Sequence, residues 1–161
     1  LIMQDYKSFR QEWIPNQIQK LSSKEAILDV GAGPMPYKSI CEAHGLEYIS
    51  LDFGEYDVDI KHDLTQPLPF NDRSMENILL TEVLEHIPNP VDLLKELVRI
   101  TDYKGKFIIT CPMKCDRHQE PYIYSTGYFP EFYEYWAAEL GCEIEELEEH
   151  PRGVLTLWSK K

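Results

Sequence analysis

Strand-like and helix-like segments alternate along the whole 161-residue chain, which predicts an α/β fold with a mostly parallel sheet and helices on both faces. Two further observations point the same way. The hydrophobic run Ala26–Val30 breaks into Gly-Ala-Gly-Pro, the pattern of a buried strand turning tightly into a helix, with Pro34 suited to the helix's first turn. The last two strand-like segments are joined by His-Pro-Arg-Gly, a tight turn that predicts an antiparallel pair.

Taken in order, residues 5–21 carry Phe9, Trp13 and Ile14 on one side and read as a helix broken near Pro15. Residues 26–31 form the first strand, and residues 34–44 the helix after it, closed by Gly45. Residues 47–53 are the second strand; residues 58–63 are a short edge strand ending at Asp63. A Pro-rich loop precedes residues 75–81, a buried strand. Residues 90–101 repeat Val91, Leu94, Leu97 and Val98 at helical spacing. A Tyr-Lys-Gly-Lys turn leads into the fifth strand at 106–111. Residues 132–140 form a helix stopped by Gly141, and residues 142–149 and 154–159 the final pair. Seven strands result.

A chain of this length suits one domain, 1–161, made of an N-terminal helical segment (1–22) and a core (26–161). It contains no 18-residue apolar stretch, so no membrane span is expected. The opening Leu-Ile-Met-Gln-Asp has no basic segment followed by an apolar run, which argues against a secretory signal and for the cytoplasm. Net charge is −12 and the densest charge run, residues 143–149, is acidic; a partner rich in phosphate needs the opposite, so nucleic acid is not expected. That run reads as a solvated strand face. Cys41, Cys111, Cys115 and Cys142 have no paired spacing and read as reduced thiols. Cys111-x3-Cys115-x2-His118 lacks a fourth ligand at useful spacing, so no metal site is expected.

The chemistry is written at the strand ends. Gly31 and Gly33 let the backbone approach a ligand, and Asp52 ends the second strand, where a carboxylate commonly holds two ribose hydroxyls. Together these point to a bound nucleoside. A dinucleotide fingerprint wants a third glycine where this chain has Pro36, which disfavours a nicotinamide or flavin pyrophosphate. Asp29 sits badly beside a pyrophosphate and suits a positively charged ligand, such as the ammonium and sulfonium of S-adenosylmethionine. Asp63 and Thr81 fall at the ends of the third and fourth strands, so four polar positions converge on one sheet edge.

Asp29-Val-Gly-Ala-Gly resembles the first motif of the class I S-adenosylmethionine-dependent methyltransferases, with Met35 at the position of that motif's last glycine. Glu82-Val-Leu-Glu-His86, preceded by Leu68-Pro-Phe and followed by Lys104-Gly-Lys-Phe-Ile-Ile-Thr-Cys-Pro112, is similar to one subfamily of them. The resemblance spans residues 26–112. His118-x-x-Pro121 and the aromatic helix ending in Leu-Gly-Cys resemble members from bacterial surface-polysaccharide biosynthesis. The family implies a Rossmann-like sheet in the order 3-2-1-4-5-7-6 and S-adenosylmethionine as cofactor. It also implies that Gly31, Ala32 and Gly33 line the methionine and ribose portion with Asp29 in support. Asp52 would take the ribose hydroxyls, Phe53 would lie against adenine, and Asp63 and the Leu64 backbone would meet the base. The Thr81 carbonyl would face the methionine ammonium. The chain is short for that family, which leaves room for a homodimer, a partner protein or a large carrier-bound acceptor.

Methyl transfer to a hydroxyl also requires a base, and a histidine titrating near neutrality suits the task. His86 and His118 both follow strand ends and are the candidates; packing against a short helix, or plain exposure on a loop, is the alternative for each. Tyr122 and Tyr124 precede the last helix and could wall an acceptor pocket, with Glu82 contributing from the fourth strand. Phe129, Phe132, Tyr133 and Trp136 follow helical spacing and read as core. The expected acceptor is a small molecule, a sugar hydroxyl first, another metabolite's nitrogen or carbon second. A non-catalytic cofactor-binding protein of the same fold is the rival.

Overall fold

A computed structural model describes residues 4–116 and 122–161. Its elements are α1 (Tyr6–Ile18), β1 (Ala26–Val30), α2 (Lys38–Ala43), β2 (Glu47–Asp52), β3 (Ile60–Lys61) and β4 (Met75–Thr81). A 3-10 turn, Leu84–His86, follows, then α3 (Pro90–Ile100), β5 (Thr101–Pro112), α4 (Pro130–Glu139), β6 (Cys142–His150) and β7 (Gly153–Lys160). The seven strands form one sheet in the order β3-β2-β1-β4-β5-β7-β6. All pairings among β1 to β5 are parallel, whereas β7 runs antiparallel to both β5 and β6. The fold expected from the family resemblance is the fold observed.

Alternation along the strands divides the core into two layers. Leu28, Val30, Ile78, Leu80, Phe107 and Ile109 face one way and pack with α3 and α4. Ile27, Leu79, Ile108, Leu155 and Leu157 face the other way and pack with α1 and α2. Helices therefore cover both faces, and strands buried on both sides read as continuous apolar runs. Because β2 and β3 extend outward from β1 before the chain returns to β4, the strand order reverses between β1 and β4. Ligand crevices in open parallel sheets lie at that reversal, beyond the carboxyl ends.

Several expectations need correction. Helix α1 runs unbroken through Pro15. The carbonyl that Pro15 cannot bond belongs to Gln11, which is exposed, so water can satisfy it. Helix α2 starts at Lys38 rather than Pro34. Pro36 disfavours a helical conformation at Met35, whose φ is +55°, so residues 34–37 form a turn instead. Strand β3 is only two residues long and ends before Asp63. Strand β5 begins at Thr101, paired with Met75, and the expected Tyr-Lys-Gly-Lys turn is an irregularity inside it before pairing resumes at Asn77 and Lys106. On α3 the buried residues are Leu93, Leu94, Leu97 and Ile100, so Val91 and Val98 sit at the margins. Phe129 is exposed because it caps α4 rather than lying on its buried face. No helix among the described residues is long and apolar enough to cross a membrane.

Candidate active site at the carboxyl edge of the sheet

The loop after β1 is fixed from beneath. Gly31 and Ala32 donate their N–H groups to the Leu51 carbonyl at 2.8 and 3.0 Å. Gly31 has φ +72°, and a Cβ there would lie 2.6 Å from Val83 Cγ2, so only glycine lets the loops after β1 and β4 approach this closely. The Gly33 N–H donates to Asp52 Oδ2 at 2.9 Å, and the Gly54 N–H to Asp52 Oδ1 at 2.7 Å. A carboxylate offers about four acceptor sites, so Asp52 retains capacity for further donors. Next to it Phe53 is 67% exposed.

Asp29 is 1% exposed and lies on the α1/α2 side of the sheet, as the alternation with Leu28 and Val30 requires. The Tyr48 hydroxyl donates to its Oδ2, while its Oδ1 has no hydrogen-bond partner among the described residues. Burial pushes its pKa up to about 7; the Tyr48 hydrogen bond opposes that and the Asp52 charge adds to it. An orphaned buried carboxylate oxygen next to the glycine loop fits a site for a cationic ligand. Asp63 lies past β3, where its Oδ1 accepts from the Thr65 N–H and hydroxyl at 2.9 and 2.8 Å. It thereby caps a loop, and those bonds lower its pKa. Leu64 is buried and Thr81, the last residue of β4, is half-buried.

The segment after β4 carries two buried glutamates. Glu82, expected on the acceptor side, lines the pocket there and also holds α1 in position: its carboxylate ion-pairs with Arg10 and accepts from the Tyr6 hydroxyl at 3.1 Å and Thr110 Oγ1 at 3.0 Å. Its φ of +55° turns the chain across the strand tips. Glu85 is the residue sequence reasoning missed. It is 3% exposed, and burial first, then the Glu82 charge, push its pKa up to about 7. Cys111 Sγ lies 3.5 Å from Glu85 Oε2. Nothing local in the sequence separates Glu85 from a solvated glutamate, since Glu82 and Glu85 do not share a helical turn.

His86 Nδ1 lies 3.0 Å from the Tyr122 carbonyl and its Nε2 3.5 Å from Glu85 Oε1. The Glu85 carbonyl in turn accepts from the Tyr124 N–H at 2.8 Å. Tyr122 and Tyr124 are thus tied by backbone to the post-β4 turn, and their rings are 73% and 61% exposed. A pocket of about 360 Å³ opens here, with Tyr6, Glu82, Glu85, Lys114 and Arg152 in its walls. A larger hollow, about 630 Å³, lies over the start of α4 and Glu149, away from the tips of β1 and β2. His118 lies outside the described residues. Among the described residues no group of three or more His, Cys, Asp or Glu could hold a metal ion. The four cysteines are free, with Cys41, Cys111 and Cys142 buried.

Residues 28–109 match the family described as the methyltransferase domain, and the chain belongs to that family. It is an S-adenosylmethionine-dependent methyltransferase, with S-adenosylmethionine as cofactor. Solved structures share the fold. A SAM-dependent methyltransferase from Archaeoglobus fulgidus is 16% identical over 97% of this chain and 100% of its own, with a TM-score of 0.71. One from Aquifex aeolicus is 17% identical over 91% of this chain and 89% of its own, with a TM-score of 0.68. A chain from the Haloferax volcanii complex between the Trm112 methyltransferase activator and a methyltransferase is 15% identical over 95% of this chain and 92% of its own, at a TM-score of 0.69. No curated protein matches the chain.

Proposed function

We propose that the protein methylates a hydroxyl of a small, sugar-containing acceptor, working as a single domain in the cytoplasm. The observation that carries this is the pocket at the β4 and β5 tips: buried acidic groups in its wall and the exposed rings of Tyr122 and Tyr124 joined to the same turn. Aromatic faces pack on sugar rings, and carboxylates accept from hydroxyls. Lys114 and Arg152 suit a phosphate carried by a nucleotide-activated or lipid-linked sugar.

The cofactor, when bound, supplies a methyl group already activated by its sulfonium, so orientation is most of what the chain must provide. In this reading Gly31, Ala32 and Gly33 cradle the methionine and ribose portion, and Asp29 balances its positive charge. Asp52 takes the ribose hydroxyls, Phe53 covers the adenine, Asp63 and Leu64 meet the base edge, and the Thr81 carbonyl takes the ammonium. His86 sits beside the acceptor and helps to remove its proton; His118 is the second candidate for that role. A partner protein or second copy would complete the acceptor side; the similar Haloferax methyltransferase forms a complex with an activator, Trm112.

An amine acceptor is the second reading, favoured by Glu82 and Glu85 lining one pocket, since carboxylates complement an ammonium. Incubating a small-molecule cell extract with methyl-labelled S-adenosylmethionine and reading the products by mass spectrometry separates the two. Label on a sugar oxygen supports the first, and label on nitrogen replaces it with the second. No labelled product from an enzyme that binds the cofactor removes both.

A further inference from the structure

We infer that Tyr56 is a cofactor-contacting residue whose ring closes over the ribose of S-adenosylmethionine, and that Lys61 holds it there as a positioning residue. This rests on the reading above that Asp52 takes the ribose hydroxyls. Tyr56 lies in the connection between β2 and β3, residues 53–59. That connection folds back over the carboxyl ends of β1 and β2. A Cβ placed on Gly33 would stand 3.9 Å from Tyr56 Cε2 and Cζ. One placed on Gly54 would stand 3.2 Å from Tyr56 Cδ2 and Cε2, and 3.1 Å from Asp52 Oδ1. The ring therefore borders both glycines whose N–H groups donate to the Asp52 carboxylate. A sugar that reaches Asp52 beside Gly33 meets this ring. With its hydroxyls turned to a carboxylate, a ribose presents C–H bonds on its other side, and the electron-rich face of an aromatic ring packs well on them.

The connection is built to hold the ring in place. From β3, Lys61 Nζ donates to the carbonyls of Gly54 and Tyr56. Asp59 ties down the far end: its Oδ2 accepts from the Ser50 N–H and hydroxyl at 2.8 and 2.7 Å, and its own N–H donates to Ser50 Oγ at 3.0 Å. With the backbone fastened on both sides of Tyr56, little ordering remains for the cofactor to impose. Gly54 completes the arrangement, because any side chain there would lie between the ring and the Asp52 carboxylate.

The fold makes little use of Tyr56 itself. The ring belongs to neither apolar layer of the core and packs on glycine backbone. It keeps 44% of its surface exposed, so much of it is free to meet a ligand. Phe53, on the same connection and more exposed still, is left for the adenine.

Calorimetric titration of the full chain with S-adenosylhomocysteine tests the assignment without any methyl acceptor. Tyr56→Ala should weaken binding about tenfold while the urea midpoint stays at the wild-type value. Tyr56→Phe keeps the ring and should bind within about twofold of wild type. Lys61→Met should weaken binding about threefold, and the loss should vanish when Tyr56 is already alanine, since Lys61 acts through the ring. Isotope-filtered NMR locates the contact. With labelled tyrosine in the protein, a tyrosine ring should show cross-relaxation to the ribose protons of bound S-adenosylhomocysteine, and Tyr56→Phe should erase that signal. Contact with adenine protons alone, or no contact, overturns the inference. So does a Tyr56→Ala variant that binds like wild type, or one that loses affinity only in step with its stability. If Tyr56→Ala does not fold, the NMR comparison of wild type with Tyr56→Phe decides. Asp52→Ala separates this from the reading beneath it. Unchanged affinity there, with the ribose contact present, removes Asp52 as the ribose acceptor and leaves Tyr56 standing; weakened affinity without that contact removes Tyr56 alone.

Discussion

The Gly33 N–H donates to Asp52 Oδ2 at 2.9 Å, so the carboxylate ending β2 is fastened to the glycine loop that ends β1. One side chain thus serves two ends: it braces the loop, through Gly33 and Gly54, and keeps lone pairs for donors arriving from the crevice. Asp52→Ala removes both. It should weaken S-adenosylmethionine binding by about 1–3 kcal/mol in calorimetric titration, as hydroxyls left without an acceptor would. Affinity equal to wild type would separate Asp52 from the ribose.

The close passage of Gly31 past Val83 makes a second case. Gly31→Ala meets a positive φ and a contact of 2.6 Å to Val83 Cγ2. It should destabilise the fold by about 1–3 kcal/mol in urea titration. Adding Val83→Ala removes the steric part and leaves the dihedral part. The double variant should therefore lose about 1 kcal/mol less than the two single losses predict. Strict additivity would show that the two loops do not press on one another.

How much of this was legible in the sequence depends on the range of the interaction. Met75–Thr81 emerges with its observed bounds because a strand buried on both faces is an uninterrupted apolar run with sharp ends. The final hairpin is legible from His-Pro-Arg-Gly because a tight turn is a local device. Pro34 misleads, because the proline that decides where α2 starts is Pro36, through its effect on Met35. The anchoring role of Glu82 was hidden for a longer-range reason. Its partner Arg10 lies on α1, and no local pattern reports that the N-terminal helix reaches the tip of β4. Glu85 was invisible as an individual because only its burial, set by Cys111 and the turn itself, separates it from a solvated glutamate.

That α1 anchorage gives a third prediction. Arg10→Met leaves Glu82 mostly buried beside Tyr6 and Thr110 without its counter-charge. Loss should be about 2–3 kcal/mol in urea titration, below the roughly 3–5 kcal/mol of a fully buried pair because both side chains retain some exposure. Arg10→Met with Glu82→Gln should recover at least half of it, since the uncompensated charge is gone. A single variant as stable as wild type would reduce the ion pair to a surface contact.

Stability should fall as pH rises from about 4 to about 7, and Asp29 and Glu85 supply the reason. Burial raises the pKa of Asp29 from 3.8, and that of Glu85 from 4.5, to about 7 in each case. Between those limits the folded chain holds protons that the unfolded chain has released, so the unfolded state gains as pH rises. Their contribution is complete below pH 3.8 for Asp29 and below 4.5 for Glu85, declines through the folded value near 7, and is constant above it. Asp63 and Glu96, whose pKa values are lowered by hydrogen bonds, act oppositely but only below their ordinary range. Urea titrations at intervals across this range should show unfolding free energy dropping by about 1 kcal/mol or more, since a tenfold difference in proton affinity between the two states is worth about 1.4 kcal/mol. Asp29→Asn and Glu85→Gln should each flatten the slope, leaving the smaller part that Glu82, also raised by burial, contributes. S-adenosylmethionine present at saturation should flatten the Asp29 portion alone, because a cation beside the orphaned oxygen stabilises the charged form. A slope undiminished by both substitutions would place the titrating groups elsewhere in the fold.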